Sequence, residues 1–278
     1  NSQNCWPSVK FDIGEINNLL NRFFPAGFYY KTFMWPKSFW YKIYEPIIRK
    51  AAGMGIAPLS PDPDRYEHNY EHCDVLVVGS GPSGLASALA AAKNGARVIL
   101  AEDKAHFGGS LLNDEVTIGN MSGREWASDV ISQLKNLPNV TVKNRSQVFG
   151  YYDHNMTVMF ERVSDHIENP NQYTPRQRLH YIRAGEVIVS TGSIERPISF
   201  GNNDRPGILL ASAANEYMKV YETLVGKKPI IFTNNDTAYS AAIEFLKNDI
   251  TPIILDTRDN SNGELVKEVQ NLGVKIRF

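Results

Sequence analysis

The spacing of apolar residues changes character along the chain. Up to position 70 the large side chains are mostly aromatic and hold no lasting period: FFPAGFYYKTFMWPKSFWYKIYEP is crowded with Phe, Tyr and Trp and is broken by Pro25, Pro36 and Pro46. Beyond it, short Val- and Ile-rich runs alternate with segments whose apolar positions recur at helical spacing. That is the pattern of strands buried on both faces of a parallel sheet and joined by crossover helices, which predicts an α/β fold.

In the first region, Asn1 to Lys10 reads as a tail. Phe11 to Leu20, with Ile13, Ile16, Leu19 and Leu20 on a helical period, reads as a short amphipathic helix or turn. The aromatic segment fits an extended arm that buries its rings against a neighbouring domain or subunit better than it fits an aromatic binding platform. The prolines suit an arm, and no polar constellation converges there. Glu45 to Ala52 looks helical and ends at Gly53 or Gly55, PLSPDPD is a linker, and Tyr66 to His72 is a polar lead-in. The expected organisation is an arm and linker over 1–70, a dinucleotide-binding domain over 71–225, and the start of a second, degenerate domain over 226–278.

The rest of the chain is arranged around Asp74 to Gly109, DVLVVGSGPSGLASALAAAKNGARVILAEDKAHFGG. Asp74 to Val78 reads as a buried strand. Gly79 allows the tight turn that follows it, Gly81 lets backbone approach a pyrophosphate, and Gly84 lets the next helix lie close against the strand. Leu85 to Asn94 is rich in Ala and Leu, and Gly95 suits its C-terminal cap. The free N–H groups and the positive dipole end at the start of that helix make an anion site. Arg97 to Ala101 returns as a second strand and delivers Glu102, where an acid would hold a ribose 2′-hydroxyl. A glycine turn alone also suits a structural loop, but strand, helix, second strand and acid all in register point to a dinucleotide. A carboxylate there repels a 2′-phosphate, which favours NAD or the ADP half of FAD over NADP and leaves those two open. Gly108 and Gly109, followed by Ser110, would let backbone approach the phosphates or the second ribose; a plain loop turn is the simpler alternative.

Ser122 is expected to cap a helix running to Lys135, with Trp126, Val130, Ile131 and Leu134 on one face, and Val140 to Lys143 follows as a third parallel strand. Gln147 to Tyr152, Met156 to Val163 and Arg178 to Ile182 read as a β-meander. Glu186 to Ser190 is another buried strand, and its end at Thr191, Gly192 and Ser193 points a second glycine turn at the same site. Lys228 to Thr233, a helix over Ala238 to Lys247, and Pro252 to Leu255 ending at Asp256 repeat the opening unit without its glycines. Asn234, Asp236 and Tyr239 fall where three glycines would be needed, so this second unit reads as Rossmann-like and structural.

Composition narrows the function further. Lys plus Arg is 29 and Asp plus Glu is 30, so no global charge recruits nucleic acid or an acidic membrane. No apolar segment is long enough to cross a bilayer and no signal peptide opens the chain, so a cytoplasmic enzyme is expected. Cys5 and Cys73 are the only cysteines and form no CxxC, so the redox pair of many two-dinucleotide oxidoreductases is missing. The six His show no ligand spacing, so no metal site is expected, and no residue of the stretch is assigned a catalytic role. A start without Met and an end inside the strand-like GVKIRF lead to the expectation of a fragment of a longer protein.

PAGFYYKTFMWP, GSGPSGL, FGGSL, STGSIERPISFGNNDRPGILLA and FTNNDTAYSAA, in that order, resemble the alpha subunits of heterotetrameric sarcosine oxidases over essentially the whole chain. The resemblance implies the two-dinucleotide-binding-domain (glutathione reductase-like) fold, a Rossmann-type parallel sheet with its β-meander interrupted by a second, degenerate Rossmann unit. It also implies a ferredoxin-like domain before this stretch, a tetrahydrofolate-binding domain after it, and beta, gamma and delta subunits as partners. The implied reaction is oxidative demethylation of sarcosine to glycine, giving hydrogen peroxide and formaldehyde or, with tetrahydrofolate, methylenetetrahydrofolate. FAD would lie in the beta subunit, FMN between alpha and beta, and NAD in this chain. On matching positions the implied NAD contacts are Ser83, Glu102, Asp103, Lys104 and Ser110, with Val148 or Phe149 at the adenine edge. Two other readings stay open. One is an alpha subunit of a related amine, proline or opine dehydrogenase with FAD in the same site. The other is a self-contained pyridine nucleotide-dependent flavin reductase, against which the missing cysteine pair and second glycine turn argue.

Overall fold

The computed structural model describes residues 6–8, 10–23, 27, 33, 35–259 and 261–278. The chain divides into two compact units, one of 1–62 with 198–209 and one of 63–197 with 210–278.

In the larger unit, strand β1 (Tyr66–Val78) starts earlier than the apolar run alone predicts. Tyr66, His68, Tyr70 and His72 are exposed while the residues between them are partly buried, an alternation that gives way to burial on both faces from Cys73 onward. The lead-in at Tyr66–His72 is therefore strand. It pairs in parallel with a later strand from Tyr66–Gln177 to Val78–Val189, and that ladder outweighs the weak strand preference of its charged residues.

Helix α1 (Pro82–Lys93), strand β2 (Val98–Ala101), helix α2 (Gly123–Lys135) and strand β3 (Val140–Lys143) follow. The start of α2 is a capping box: the Ser122 hydroxyl accepts from the Glu125 N–H and the Glu125 carboxylate accepts from the Ser122 N–H. The meander is β4 (Ser146–Tyr152), β5 (Met156–Arg162) and β6 (Gln177–Val189). The strands expected at Arg178–Ile182 and Glu186–Ser190 are one, because β5 pairs with the first half of β6 while β1 runs beside nearly all of it. The sheet order is β3-β2-β1-β6-β5-β4, parallel among β3, β2, β1 and β6 and antiparallel beyond. On one face Leu85, Ala88 and Ala92 of α1 and Val130, Ile131 and Leu134 of α2 bury against Val77, Val98 and Leu100. On the other, Met159 and Ile182 of the meander close over Leu76, Ile99 and Ala101.

Helix α3 (Ala211–Lys219) has only Ala214, Asn215 and Met218 buried, too faint an apolar signal to read from sequence. A second sheet then forms from β7 (Ile230–Thr233), β8 (Ile253–Asp256) and β9 (Lys275–Arg277), all parallel, with α4 (Tyr239–Lys247) and α5 (Glu264–Asn271) as its crossovers. Its core is Tyr239, Ala242 and Phe245 against Ile254, Val266 and Val269.

In the smaller unit, Pro7–Ser8 pairs with Phe11–Asp12, and the region expected to be helical holds one 3-10 turn and one short α turn over 13–19. Trp40–Tyr44 is a π-helical turn leading into a helix at Glu45–Ala51, and Arg205 pairs with Glu15 at 2.7 Å. Phe33 and Phe39 pack against Tyr44 with ring centroids 5.3 and 6.3 Å away, while Trp35 and Tyr41 are exposed. Phe28, Tyr29 and Tyr30 of the expected arm lie outside the described residues. Among the described residues no helix is long and apolar enough to cross a membrane.

Candidate dinucleotide site

The three glycines after β1 are demanded by different things. Gly79 has φ +98°, and a Cβ on it would stand 2.3 Å from the carbonyl oxygen of Ser190, which follows β6 and donates its own N–H to Val78 at 2.7 Å. A Cβ on Gly84 would stand 1.9 Å from the Gly79 carbonyl oxygen, so α1 rests directly on the turn. Gly81 has an ordinary φ of −67°, and a Cβ there would meet nothing within 4 Å. Packing explains Gly79 and Gly84 but leaves Gly81 facing open space. Gly81 is also the N-cap of α1 and offers no side chain to the first-turn N–H groups.

The second glycine pair closes on the first. A Cβ on Gly109, whose φ is +55°, would come 2.8 Å from the Gly81 Cα, and the 3-10 turn Gly109–Leu112 carries Ser110 exposed beside it. Further along that turn, Asn113 accepts the Lys219 ammonium on its carbonyl at 2.7 Å, and its side-chain oxygen is buried with no partner among the described residues.

Glu102 follows β2 and is only 6% exposed. Its Oε2 accepts from the Ser80 N–H at 2.9 Å and the Ser80 hydroxyl at 2.6 Å, and its Oε1 accepts from the Lys104 N–H at 3.0 Å. Burial, with Asp103 adding to it, holds the carboxyl above the usual range, and the bonds from Ser80 and Lys104 oppose that rise. A carboxylate offers about four lone-pair sites, so room remains for one ribose hydroxyl.

Other expected contacts lie around this centre. The Ser83 side chain is exposed in the first turn of α1, and its carbonyl accepts from Ser87 at 2.7 Å. Asp103 is exposed and its carbonyl accepts from Arg162 at 2.5 Å. The Lys104 ammonium is turned to both Glu216 oxygens of α3, at 2.6 Å each. Ser146 donates its N–H to the Glu102 carbonyl at 2.7 Å, which brings the start of β4 to the end of β2. Of the two residues at the expected adenine edge, Val148 packs into the core under the meander, while Phe149 sits at a bulge with its ring exposed. Thr191 and Gly192 are exposed just after β6, with open space beside Gly192. Ser80, Ser190 and Glu216 escaped the sequence reading. Ser80 was the one within reach, since it lies inside the motif, but its hydroxyl matters only through the position of Glu102.

These groups fit the adenosine diphosphate part of a dinucleotide: open space over a helix N-terminus, and an acid at the end of the next strand. They offer no nucleophile. Burial pushes the Cys73 thiol up to about 11, which keeps it protonated and inert at neutral pH.

The second unit is closed at the equivalent place. Asp256, at the end of β8, accepts from Arg258 at 2.6 and 3.0 Å and from the Tyr239 hydroxyl at 2.8 Å. Asp236 takes the same guanidinium at 2.7 Å and the Ser261 hydroxyl at 3.1 Å, and a Cβ on Gly263 would run into its carboxylate. Each side chain at the three positions where glycines would be needed has a partner nearby: Asn235 for Asn234, Arg258 and Ser261 for Asp236, and Asp256 for Tyr239.

Residues 74–175 match the family of FAD dependent oxidoreductases, which supports a flavin cofactor. The chain is 46% identical over 99% of its length to the sarcosine oxidase subunit alpha of Rhizobium meliloti (strain 1021), covering 28% of that protein. It is 36% identical over 81% of its length to the subunit of the same name from Corynebacterium sp. (strain P-1), covering 23% of it. The chain thus spans about a quarter of the length of these relatives. Among solved structures, L-proline dehydrogenase from P. horikoshii aligns over 71% of this chain and 38% of its own with TM-score 0.57 and 22% identity. Thioredoxin reductase from T. acidophilum aligns over 74% of this chain and 64% of its own with TM-score 0.53 and 15% identity, and both establish the two-dinucleotide-binding fold.

Proposed function

We propose that this chain, whose sequence matches segments of sarcosine oxidase alpha subunits over 81–99% of its length, is the part of such a subunit that holds NAD. The observation that carries the reading is the open space over Gly81 in register with the buried acid Glu102. In this proposal the binding domain is the part of 71–225 outside 198–209, together with the start of β1 at Tyr66. The N-terminus of α1 and the backbone at Gly81 and Gly109 hold the pyrophosphate, Ser83 and Ser110 line it, Glu102 takes a ribose hydroxyl, and Phe149 covers the adenine. Lys104 reaches the ligand by leaving Glu216. NAD, when bound, would supply a hydride carrier; none of the described residues around the site is assigned a proton-transfer role, and in this reading oxidation of the substrate takes place elsewhere in the assembly. The whole protein would be a cytoplasmic complex with beta, gamma and delta subunits, oxidatively demethylating sarcosine with FAD, FMN and tetrahydrofolate held outside this segment.

A second reading places FAD in the same site, as in a related amine or opine dehydrogenase, and the family match over 74–175 favours it. Separating the full-length chain from its partner subunits, then denaturing it and identifying the released dinucleotide by mass spectrometry, distinguishes the two. NAD in amounts equal to this chain supports the first reading and FAD the second. Release of no adenine dinucleotide overturns both.

A further inference from the structure

We infer that Ser80 is a positioning residue: its hydroxyl orients Glu102 and thereby sets the preference of the site for dinucleotides with a free 2′-hydroxyl over 2′-phosphorylated ones. The inference rests on the dinucleotide reading above and adds the residue that enforces its selectivity.

Ser80 lies between Gly79 and Gly81 and is completely buried. Its hydroxyl is 2.6 Å from Glu102 Oε2 and also accepts the Gly108 N–H at 3.2 Å, while its carbonyl accepts the same N–H at 3.1 Å. A hydroxyl has one proton, and with an N–H already donating to its oxygen, that proton goes to the carboxylate. Ser80 thus ties together the glycine turn, the acid and the second glycine pair. The turn itself does not need the hydroxyl, because the left-handed φ belongs to Gly79 and the tight approach to Gly84.

The arrangement of donors decides what Glu102 offers a ligand. Both Ser80 donors fall on Oε2, so Oε1, with only the Lys104 N–H, is the oxygen with lone-pair capacity left for a ribose hydroxyl. Charge decides the rest. Burial and the neighbouring Asp103 carboxyl favour the protonated acid, and the bonds from Ser80 and the Lys104 N–H favour the carboxylate. A protonated Glu102 would no longer repel a 2′-phosphate, so losing the hydroxyl would weaken both the attraction for a 2′-hydroxyl and the rejection of a phosphate.

The test uses the full-length protein stripped of dinucleotide, with Kd measured for NAD, FAD and NADP across pH in wild type, Ser80→Ala, Glu102→Gln and the double variant. Ser80→Ala should lower the preference for NAD or FAD over NADP about tenfold, the loss expected for one hydrogen bond to a charged group. Its acid-side loss of affinity should set in at higher pH than in wild type. With Glu102→Gln already present, adding Ser80→Ala should leave the preference unchanged. Ser80→Cys keeps the side-chain shape, slightly enlarged, with a weaker donor and should shift the preference the same way, which preserves the test if the alanine variant does not fold. Equal weakening of all three ligands, an unchanged preference, or a full Ser80→Ala effect in the Glu102→Gln background overturns the inference. Wild-type protein that binds no adenine dinucleotide overturns the dinucleotide reading itself, and this inference with it.

Discussion

The Nε2 of His180 lies 2.6 Å from a carboxylate oxygen of Glu161, in a ring that is completely buried. Its Nδ1 lies 2.5 Å from Glu71. Two carboxylates on one imidazole require both nitrogens to donate, so His180 is an imidazolium. Lys143 stands 3.6 Å from Glu71 and 3.8 Å from Glu161, and Arg178 joins Glu161 at 3.3 Å and Glu67 at 2.9 Å. Three cations balance three acids where the meander closes over the parallel sheet, and β1, β3, β5 and β6 each supply a member.

This cluster predicts a pH dependence of stability. Burial disfavours the His180 charge, but the bonds to Glu161 and Glu71 outweigh it and its pKa is raised. Its contribution is complete below the unfolded value of about 6.5 and is lost as pH rises through the folded value. Glu71, lowered chiefly by its bond to His180, and Glu161, lowered by His180 and Lys143 against burial, contribute above about pH 4.3 and lose that share as pH falls. His180→Ala leaves two partly buried carboxylates to Lys143 and Arg178 alone and should cost about 1–3 kcal/mol near neutral pH. Thermal melts of both proteins should differ most near neutrality and converge toward acid and alkaline pH. A gap that stays constant with pH would refute the imidazolium assignment.

The glycine turn predicts a contrast between two alanine variants. Gly84→Ala drives a methyl into the Gly79 carbonyl and should lower the melting temperature by the equivalent of about 1–3 kcal/mol or more. Gly81→Ala meets nothing and keeps an allowed φ, so its melting temperature without ligand should match wild type while its dinucleotide affinity falls. Equal affinity in Gly81→Ala and wild type would mean that the space over Gly81 is not where the ligand lies.

Part of this site was legible because its demands are local. Gly79, Gly84 and Glu102 follow from strand, turn and helix in register, and the Ser122 to Lys135 helix follows from a capping box and an apolar stripe. What stayed hidden depends on partners distant in sequence. Tyr66 to His72 is strand only because Gln177 to Arg183 lies beside it, and α3 is fixed by partners distant in sequence, with Ala214 and Met218 in the core of the second sheet and Glu216 bound to Lys104. Glu67 and Glu71, in the polar lead-in, and Glu161, in the meander, carry no signal of a cluster in the sequence, because only the coiling of the sheet brings His180 between two of them.

Glu102 calls for a gentler probe than alanine. Removing it would strand the Ser80 hydroxyl, the Ser80 N–H and the Lys104 N–H together, so lost binding could reflect a collapsed turn. Glu102→Gln keeps an acceptor while deleting the charge. It should hold the fold and weaken NAD by about 1.5–3 kcal/mol, or tenfold or more in Kd, by calorimetry on the full-length protein. Undiminished affinity would remove Glu102 from the site.

The second unit predicts an absence of effect on ligand. Arg258 bridges Asp236 and Asp256, and Asp256 lies at the end of β8, where an acid would face a ribose if this unit bound a nucleotide. Asp236 is half-buried, whereas the Asp256 side chain is fully enclosed and also holds the Tyr239 hydroxyl. Asp236→Gly gives up one arm of the bridge at a partly exposed carboxylate, so the loss of stability should be small. Asp256→Ala strands the buried Tyr239 hydroxyl and leaves Arg258 with Asp236 alone, and should cost about 1–3 kcal/mol or more. Neither change touches the glycine turn after β1, so nucleotide content per chain, counted by mass spectrometry, should stay at the wild-type value in both. If Asp236→Gly instead released one nucleotide while the content at the first site held, the ring of Asp236, Asp256 and Arg258 would be a ligand site, and the structural role argued for this unit would fall.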